Sequence, residues 1–352
     1  MKNNLEKCSD WTIIGAGPAG ILTVGKLLDA GVAPASIMWI DPDFSVGDLG
    51  MKWSHIASNT KVALFLKSLE ACSSFLYRES PIDFAINQLP VDEPCEIAHI
   101  VEPLRWITQH LKQKVTISQD YIITLKQQDN HWRLTTKQHE YIYTKNVVLA
   151  TGSVPVVCPS ETDIIPLEAA MDKRLLSAHC QANDVVGVLG SSHSALVALY
   201  NLVELNVERI INFYRSPLRY AVDMGNYIIH DNTTGLRGYA AIWAKQFLGD
   251  AQPDNLERVY IHAPEYELKR QSCTKIIQAI GFQKRLLPDI QPYGELPYNP
   301  ITGILAPGLF GTGIAYPLMV YTKPGLGEYA IGIWDFVLQL DEVLPLWLRY
   351  GI

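Results

Sequence analysis

Paired cysteines are missing from this chain. Its six cysteines (Cys8, Cys72, Cys95, Cys158, Cys180 and Cys273) are scattered, and no two form a C-x-x-C. Such spacing signals neither a zinc site nor a redox-active dithiol, and no metal is expected. With no secretory signal at the N-terminus, reduced thiols and a cytoplasmic location are the expectation. Long apolar runs are missing too. No stretch approaches the roughly 18–20 uninterrupted apolar residues of a membrane span. Charged residues make up only 18% of the chain and their balance is −7, so nucleic acid is not an expected partner.

What is present begins at residues 13–20, Ile-Ile-Gly-Ala-Gly-Pro-Ala-Gly. Residues 11–14 read as a short buried strand. Pro18 falls where the first turn of a helix tolerates a missing N–H. From Ile21 onward, Leu22, Val24, Leu27 and Leu28 recur at helical spacing. The glycines have separate tasks: Gly15 makes a tight turn, Gly17 lets backbone approach a pyrophosphate, and Gly20 lets helix pack on strand. The helix start, Pro18 and Ala19 included, then faces a phosphate with free N–H groups. A second strand over 36–40 ends at Asp41, placed to receive a ribose hydroxyl.

The opening pattern has an echo. Residues 184–189 read as a buried strand, Gly190-Ser191-Ser192-His193-Ser194-Ala195 as a turn, 196–205 as a helix and 209–214 as another strand. Between the two units, residues 121–126, 132–137 and 141–143 alternate like a small antiparallel meander. Residues 146–150 form an apolar strand ending Ala150-Thr151-Gly152-Ser153-Val154-Pro155. Pro155 is expected to block further laddering there. An apolar return at 273–281 closes an insertion. The 352 residues thus divide into a first domain of 1–155 plus 273–352 and an inserted domain of 156–272. The fold class is α/β: two Rossmann-like domains, one inside the other, plus a β-meander. A strand and glycine turn at 309–315 and a helix over about 326–340 complete the chain.

Four motifs resemble those of the two-dinucleotide-binding flavoproteins: G-A-G-P-A-G, A-T-G-S-V-P at 150–155, the turn at 190–195, and P-G-L-F-G-T-G at 307–313. The missing dithiol points away from the disulfide reductases of that group and toward its flavin-containing and N-hydroxylating monooxygenases. The resemblance implies FAD at the first turn and NAD(P)H at the second. It implies that Gly15, Gly17 and Gly20 meet the FAD pyrophosphate and Asp41 the adenosine ribose. Thr151 and Gly152 would line the crossing beside the flavin, and Gly311 and Gly313 would approach its far end. The acid that usually follows the last glycine turn is absent, since Ile314 and Ala315 stand there.

The resemblance also covers Asn59-Thr60, a short segment near the reactive face of the flavin in the monooxygenases. Asn59 is the catalytic candidate, because an amide both donates and accepts. The other reading is that Asn59 and Thr60 cap a helix over 61–69. At the second turn, Gly190, Ser191, Ser192 and Ser194 are the nucleotide candidates. Ser192 stands where a second glycine is usual, and His193 reads as a solvent-facing helix-start residue. Arg215 and Arg219 suit a 2′-phosphate, which favours NADPH, or are ordinary surface charges. Tyr239, Ile242, Trp243 and Phe247 lie along one side of a helix over 236–247, as core or as the cover of a substrate pocket. The apolar tail from Ile331 is a core helix or a surface for a membrane or a second subunit. The leading expectation is an NADPH-dependent flavoprotein monooxygenase of a small molecule. The alternatives are an FAD-dependent oxidase or dehydrogenase with a degenerate nicotinamide site, and an FAD-stabilised binding module.

Overall fold

The computed structural model describes residues 8–224, 228–229, 235–249, 252–294, 296–321, 325 and 327–352. Parts of the Tyr-, Trp- and His-rich excursion after Asp223 (225–227, 230–234 and 250–251) lie outside the described residues, as does Leu326.

Two sheets organise the chain, the first mixed and the second all parallel. In the first, the opening strand Ser9–Ile14 lies between Ile37–Ile40 and Tyr141–Leu149, flanked by Thr116–Ser118 and Leu309–Gly311. In the second, the order is Asp163–Ile165, Lys275–Gln278, Val185–Leu189, Arg209–Tyr214 and Leu256–Tyr260, all parallel. Strands buried on both faces must be apolar throughout, as Ile13, Val147, Val148 and Leu149 are. Helix Pro18–Asp29 covers the first sheet with Ile21, Leu22, Val24 and Leu27, all fully buried.

The meander is present as Ile122–Gln128, His131–Thr136 and the start of Tyr141–Leu149. One expectation changes here. Residues 141–143 and 146–150, read as separate strands, belong to one strand. Its first half pairs antiparallel with the meander, and its second half runs parallel to the opening strand and to Leu309–Gly311.

The crossing at Pro155 also differs from expectation. Ser153–Pro155 pairs antiparallel with Phe282–Lys284, and the ladder continues past the proline. Pro155 has no N–H, but the next residue donates instead, Val156 N–H to the Gly281 carbonyl at 2.9 Å. The C-terminal helix spans Ile333–Tyr350, later and longer than expected, and a strand Gly327–Ala330 precedes it. Phe336, Val337, Leu340, Val343, Leu344 and Trp347 recur at helical spacing and are buried, so one face of this helix is core. No helix among the described residues is long and apolar enough to cross a membrane.

Candidate active site

The first glycine turn is a rigid cradle with one bare face. Gly15 has φ +114°, and a Cβ there would stand 2.3 Å from the Ala150 carbonyl oxygen. A Cβ on Gly20 would stand 2.0 Å from the Gly15 carbonyl oxygen. Both positions therefore exclude any larger residue, for reasons internal to the protein. Gly17 is different: nothing lies within 4 Å of where its Cβ would be. It caps helix Pro18–Asp29 in extended geometry with no side chain filling the position. The helix N-terminus thus opens on free space, as a diphosphate site requires.

Asp41 is buried and largely engaged. Its Oδ2 accepts from Ala16 N–H at 2.7 Å, and its Oδ1 accepts from Asp43 N–H at 2.9 Å and Phe44 N–H at 2.7 Å. A carboxylate offers about four acceptor sites, so about one is left for a ribose hydroxyl. The carboxylate ties the first turn to the loop after the second strand. Trp39 adds a second tie, its indole N–H donating to the Gly15 carbonyl at 2.9 Å.

The second turn repeats this design at its first glycine and its brace, with Ser192 and Ala195 in the places of Gly17 and Gly20. Gly190 has φ +121°, and a Cβ there would meet the Ala279 carbonyl oxygen at 2.2 Å. Gly15 N–H donates to Ile40 and Gly190 N–H to Phe213, at 2.8 and 2.9 Å. Trp39 pairs with Ile13, and Asn212 pairs with Val188, so the two residues are equivalent. Asn212 does for Gly190 what Trp39 does for Gly15, donating to its carbonyl at 2.7 Å. No local pattern marks either residue, because the bond depends on strand register. Ser191 Oγ donates to the Ser216 carbonyl at 3.3 Å. Ser192 is exposed and caps helix His193–Glu204 without a side-chain capping bond, and Ser194 is half-buried behind it.

By the same equivalence, the place of Asp41 is taken by Tyr214 in the second unit. The Arg258 guanidinium lies 4.5 Å from the Tyr214 ring centroid and donates through Nε to Asn212 Oδ1 at 3.1 Å. Arg215 and Arg219 follow at the exposed strand end. An acid is replaced by an aromatic ring with three arginines near it in chain or in space. Arg258 lies on a strand, Leu256–Tyr260, that no pattern in the sequence announced.

At the crossing, Thr151 Oγ1 is buried with no hydrogen-bond partner among the described residues. Beside it Gly152 has φ +73° and nothing within 4 Å of its missing Cβ. An orphaned hydroxyl next to an open glycine is what a polar ligand edge would satisfy. Arg285 holds this corner, donating to the Thr151 carbonyl at 3.3 Å and to Asp48 Oδ2 at 2.6 Å. Gly311 and Gly313 are closed from the protein side. A Cβ on Gly311 would strike the Tyr316 ring at 2.4 Å, and one on Gly313 would strike Ala19 Cβ at 2.6 Å.

Asn59 and Thr60 lie on strand Ala57–Lys61, not at a helix cap. Helix Val62–Leu69 begins after them with Lys61 as its cap residue, so the capping alternative falls. Thr60 N–H donates to Ser58 Oγ at 2.8 Å. Asn59 instead meets the inserted domain: a Cβ on Gly238, at φ +59°, would lie 3.1 Å from Asn59 Cα.

His193 also departs from expectation. It is not solvent-facing but half-buried, and its Nε2 accepts from Arg237 N–H at 3.1 Å. Burial, and then the Arg237 charge, pull its pKa down to about 4. A neutral imidazole therefore ties the second turn to the residue beside Gly238, and Gly238 packs on Asn59.

The cysteines give no sign of redox use. All six are free, and burial raises Cys95, Cys180 and Cys273 to about 11. Few thiolates form at neutral pH under those conditions. No cluster of metal-ligating side chains exists among the described residues.

No family model matches the chain. Among curated proteins, Monooxygenase AgnR1 of Paecilomyces divaricatus is 31% identical over 395 residues, covering 97% of this chain and 98% of that protein. Among solved structures, L-lysine 6-monooxygenase from Pseudomonas syringae superposes with a TM-score of 0.66 at 15% identity, covering 97% of this chain and 99% of that one. OTEMO in complex with FAD and NADP gives a TM-score of 0.60 at 13% identity, over 97% of this chain and 85% of that one. The structural likenesses establish the fold, two Rossmann-type domains of the FAD/NAD(P) kind.

Proposed function

The chain belongs to the monooxygenase family of its Paecilomyces relative, and from that premise we propose that it is an NADPH-dependent flavoprotein monooxygenase acting on a small molecule. Residues 1–155 and 273–352 hold FAD in this reading, and 156–272 take NADPH. The observation that carries it is the pair of equivalent glycine turns, each closed on its own backbone and the first open at Gly17 toward the helix start. Backbone N–H groups of Pro18–Asp29 outside the helix ladder, with the bare Gly17 face, hold the diphosphate. Thr151 Oγ1 and Gly152 receive the flavin side of the cofactor, which would satisfy the orphaned hydroxyl.

When bound, FAD supplies hydride acceptance and oxygen chemistry that no side chain offers. The chain's own residues position and shield. Asn59 presents an amide that donates to one partner and accepts from another at the contact between the two domains. The packing of Gly238 on Asn59, both half-buried, covers that side of the residue. Preference for NADPH over NADH rests on Tyr214 in the acid position, with Arg215 and Arg219 offering fixed donors to a 2′-phosphate.

One feature favours the oxidase or dehydrogenase reading: Ser192 puts a side chain at the usual second-glycine position. Anaerobic stopped-flow mixing separates the two. The monooxygenase reading expects NADPH to bleach the flavin at least ~10-fold more efficiently than NADH. It also expects Asn59→Ala to lose NADPH-driven substrate oxidation while keeping its FAD. No bleaching with either nicotinamide would contradict it.

A further inference from the structure

A cavity of about 810 Å³ opens between the two domains. Its walls come from five stretches of the chain: helix Gly238–Phe247, helix His193–Glu204, residues 171–174, Glu96, and His55, Ile56 and Ala57 just before Asn59. Its size falls within the range of small-molecule sites, roughly 300–1,000 Å³. The aromatic stripe of the sequence lines it: Tyr239, Trp243 and Phe247, with Tyr200 opposite. Trp243 is buried and packs edge-on to Tyr200 at 6.3 Å between centroids. Tyr239 and Ile242 are 53% and 63% exposed on this concave wall. Large apolar side chains gathered in a concavity, not spread over a convex face, gain by being covered.

The chemistry of the wall selects the ligand. Four aromatic rings favour a flat ring system, which can stack or meet them edge-on. The cations at the rim are already paired: Lys173 with Glu204 and Arg174 with Asp172, both at 3.3 Å. No strong anion site is therefore offered, and the exposed Glu96 carboxylate in the wall further disfavours an anionic ligand. The side chains of His55 and Gln246 make no hydrogen bond to another described residue, and each can bond one hydroxyl or carbonyl of a ligand. The cavity also borders the candidate catalytic residue. Ala57 in its wall shares a strand with Asn59, and Tyr239 follows Gly238, which packs on Asn59.

We infer that this cavity binds the substrate, a flat, ring-bearing molecule without negative charge that carries one or two hydroxyl or carbonyl groups. The link from binding to oxidation rests on the monooxygenase reading; the binding itself does not. Calorimetric titration of the full chain with phenol, 2-naphthol and 2-hydroxyanthracene tests it. One site per chain is expected, with affinity rising from the one-ring probe to the larger ones. Ile242→Trp and Ala57→Leu, which fill the cavity from opposite walls, should each weaken 2-naphthol binding at least ~10-fold. Both positions are exposed, so FAD content and far-UV circular dichroism should stay as in the native chain. Failure of all three probes to bind, or unchanged binding by both filled variants, would overturn the assignment. A chain that binds 2-naphthol in this way but takes up no FAD would remove the flavin reading and leave the cavity's assignment standing.

Discussion

Gly15 and Gly17 stand two residues apart and answer to different demands. Gly15 is fixed by the protein, through its φ of +114° and the Ala150 carbonyl 2.3 Å from any Cβ. Gly17 has φ −74° and open space, so an alanine fits the folded chain there. The expected outcome follows from that contrast. Gly17→Ala keeps its thermal stability to within about 0.5 kcal/mol but lowers FAD affinity at least ~10-fold. Gly15→Ala is destabilised by about 2 kcal/mol or more, because the left-handed strain and the clash add. Thermal melts with and without added FAD check both, and equal FAD affinity in Gly17→Ala and the native chain would contradict the cradle. At this scale the glycines were legible in the sequence, since each turn needs one at a fixed spacing. Trp39 and Asn212 were not, although they brace the same two turns. Their partners are carbonyls on a neighbouring strand, and one sequence carries no register. Asp41 was legible as an acid in the right place, but not as one already holding three backbone N–H groups.

At the scale of elements, His193 joins the starts of two helices. Its imidazole must be neutral to accept from Arg237 N–H. In the folded chain its pKa is about 4, against an ordinary value of 6.5. Between those values the unfolded chain takes up a proton that the folded chain resists. The stability from this site is therefore complete above about pH 6.5 and falls as pH drops toward 4. The loss is roughly 3 kcal/mol over that window. His193→Gln keeps an acceptor but cannot titrate, so its stability should decline less by about that amount. Urea unfolding of both chains from pH 7 to pH 4 measures it, and parallel pH profiles would contradict the assignment. The sequence placed this residue in solvent because a helix-start position usually is exposed. The helix Gly238–Phe247 that covers it arrives from over forty residues away. Elements with strong apolar runs, such as Val185–Leu189 and Arg209–Tyr214, were legible almost to the residue. Asp163–Ile165 and Leu256–Tyr260 were not, being short or only half apolar. The split reading of Tyr141–Leu149 has a related cause: its two halves serve different neighbours and so carry different patterns.

The whole molecule is one design used twice. Each sheet has a glycine βα turn closed on the strand to one side and braced from the strand to the other. The paired crossing strands Ser153–Pro155 and Phe282–Lys284 join them. Across the junction, Trp53 meets Phe282 edge-on at 6.1 Å, Arg285 reaches Asp48, and Gly238 packs on Asn59. The α/β class and the nesting of one unit in the other could be read from four motifs in order. The contacts that bring Asn59 to the inserted domain could not, because they form between residues with no shared local pattern. The central claim is that the first turn grips a diphosphate carried by FAD. Its most direct test is the amount of FAD released on heat denaturation of the purified protein, after incubation with excess FAD and removal of what is unbound. About one FAD per chain is the predicted result; a colourless protein that retains none would contradict the account.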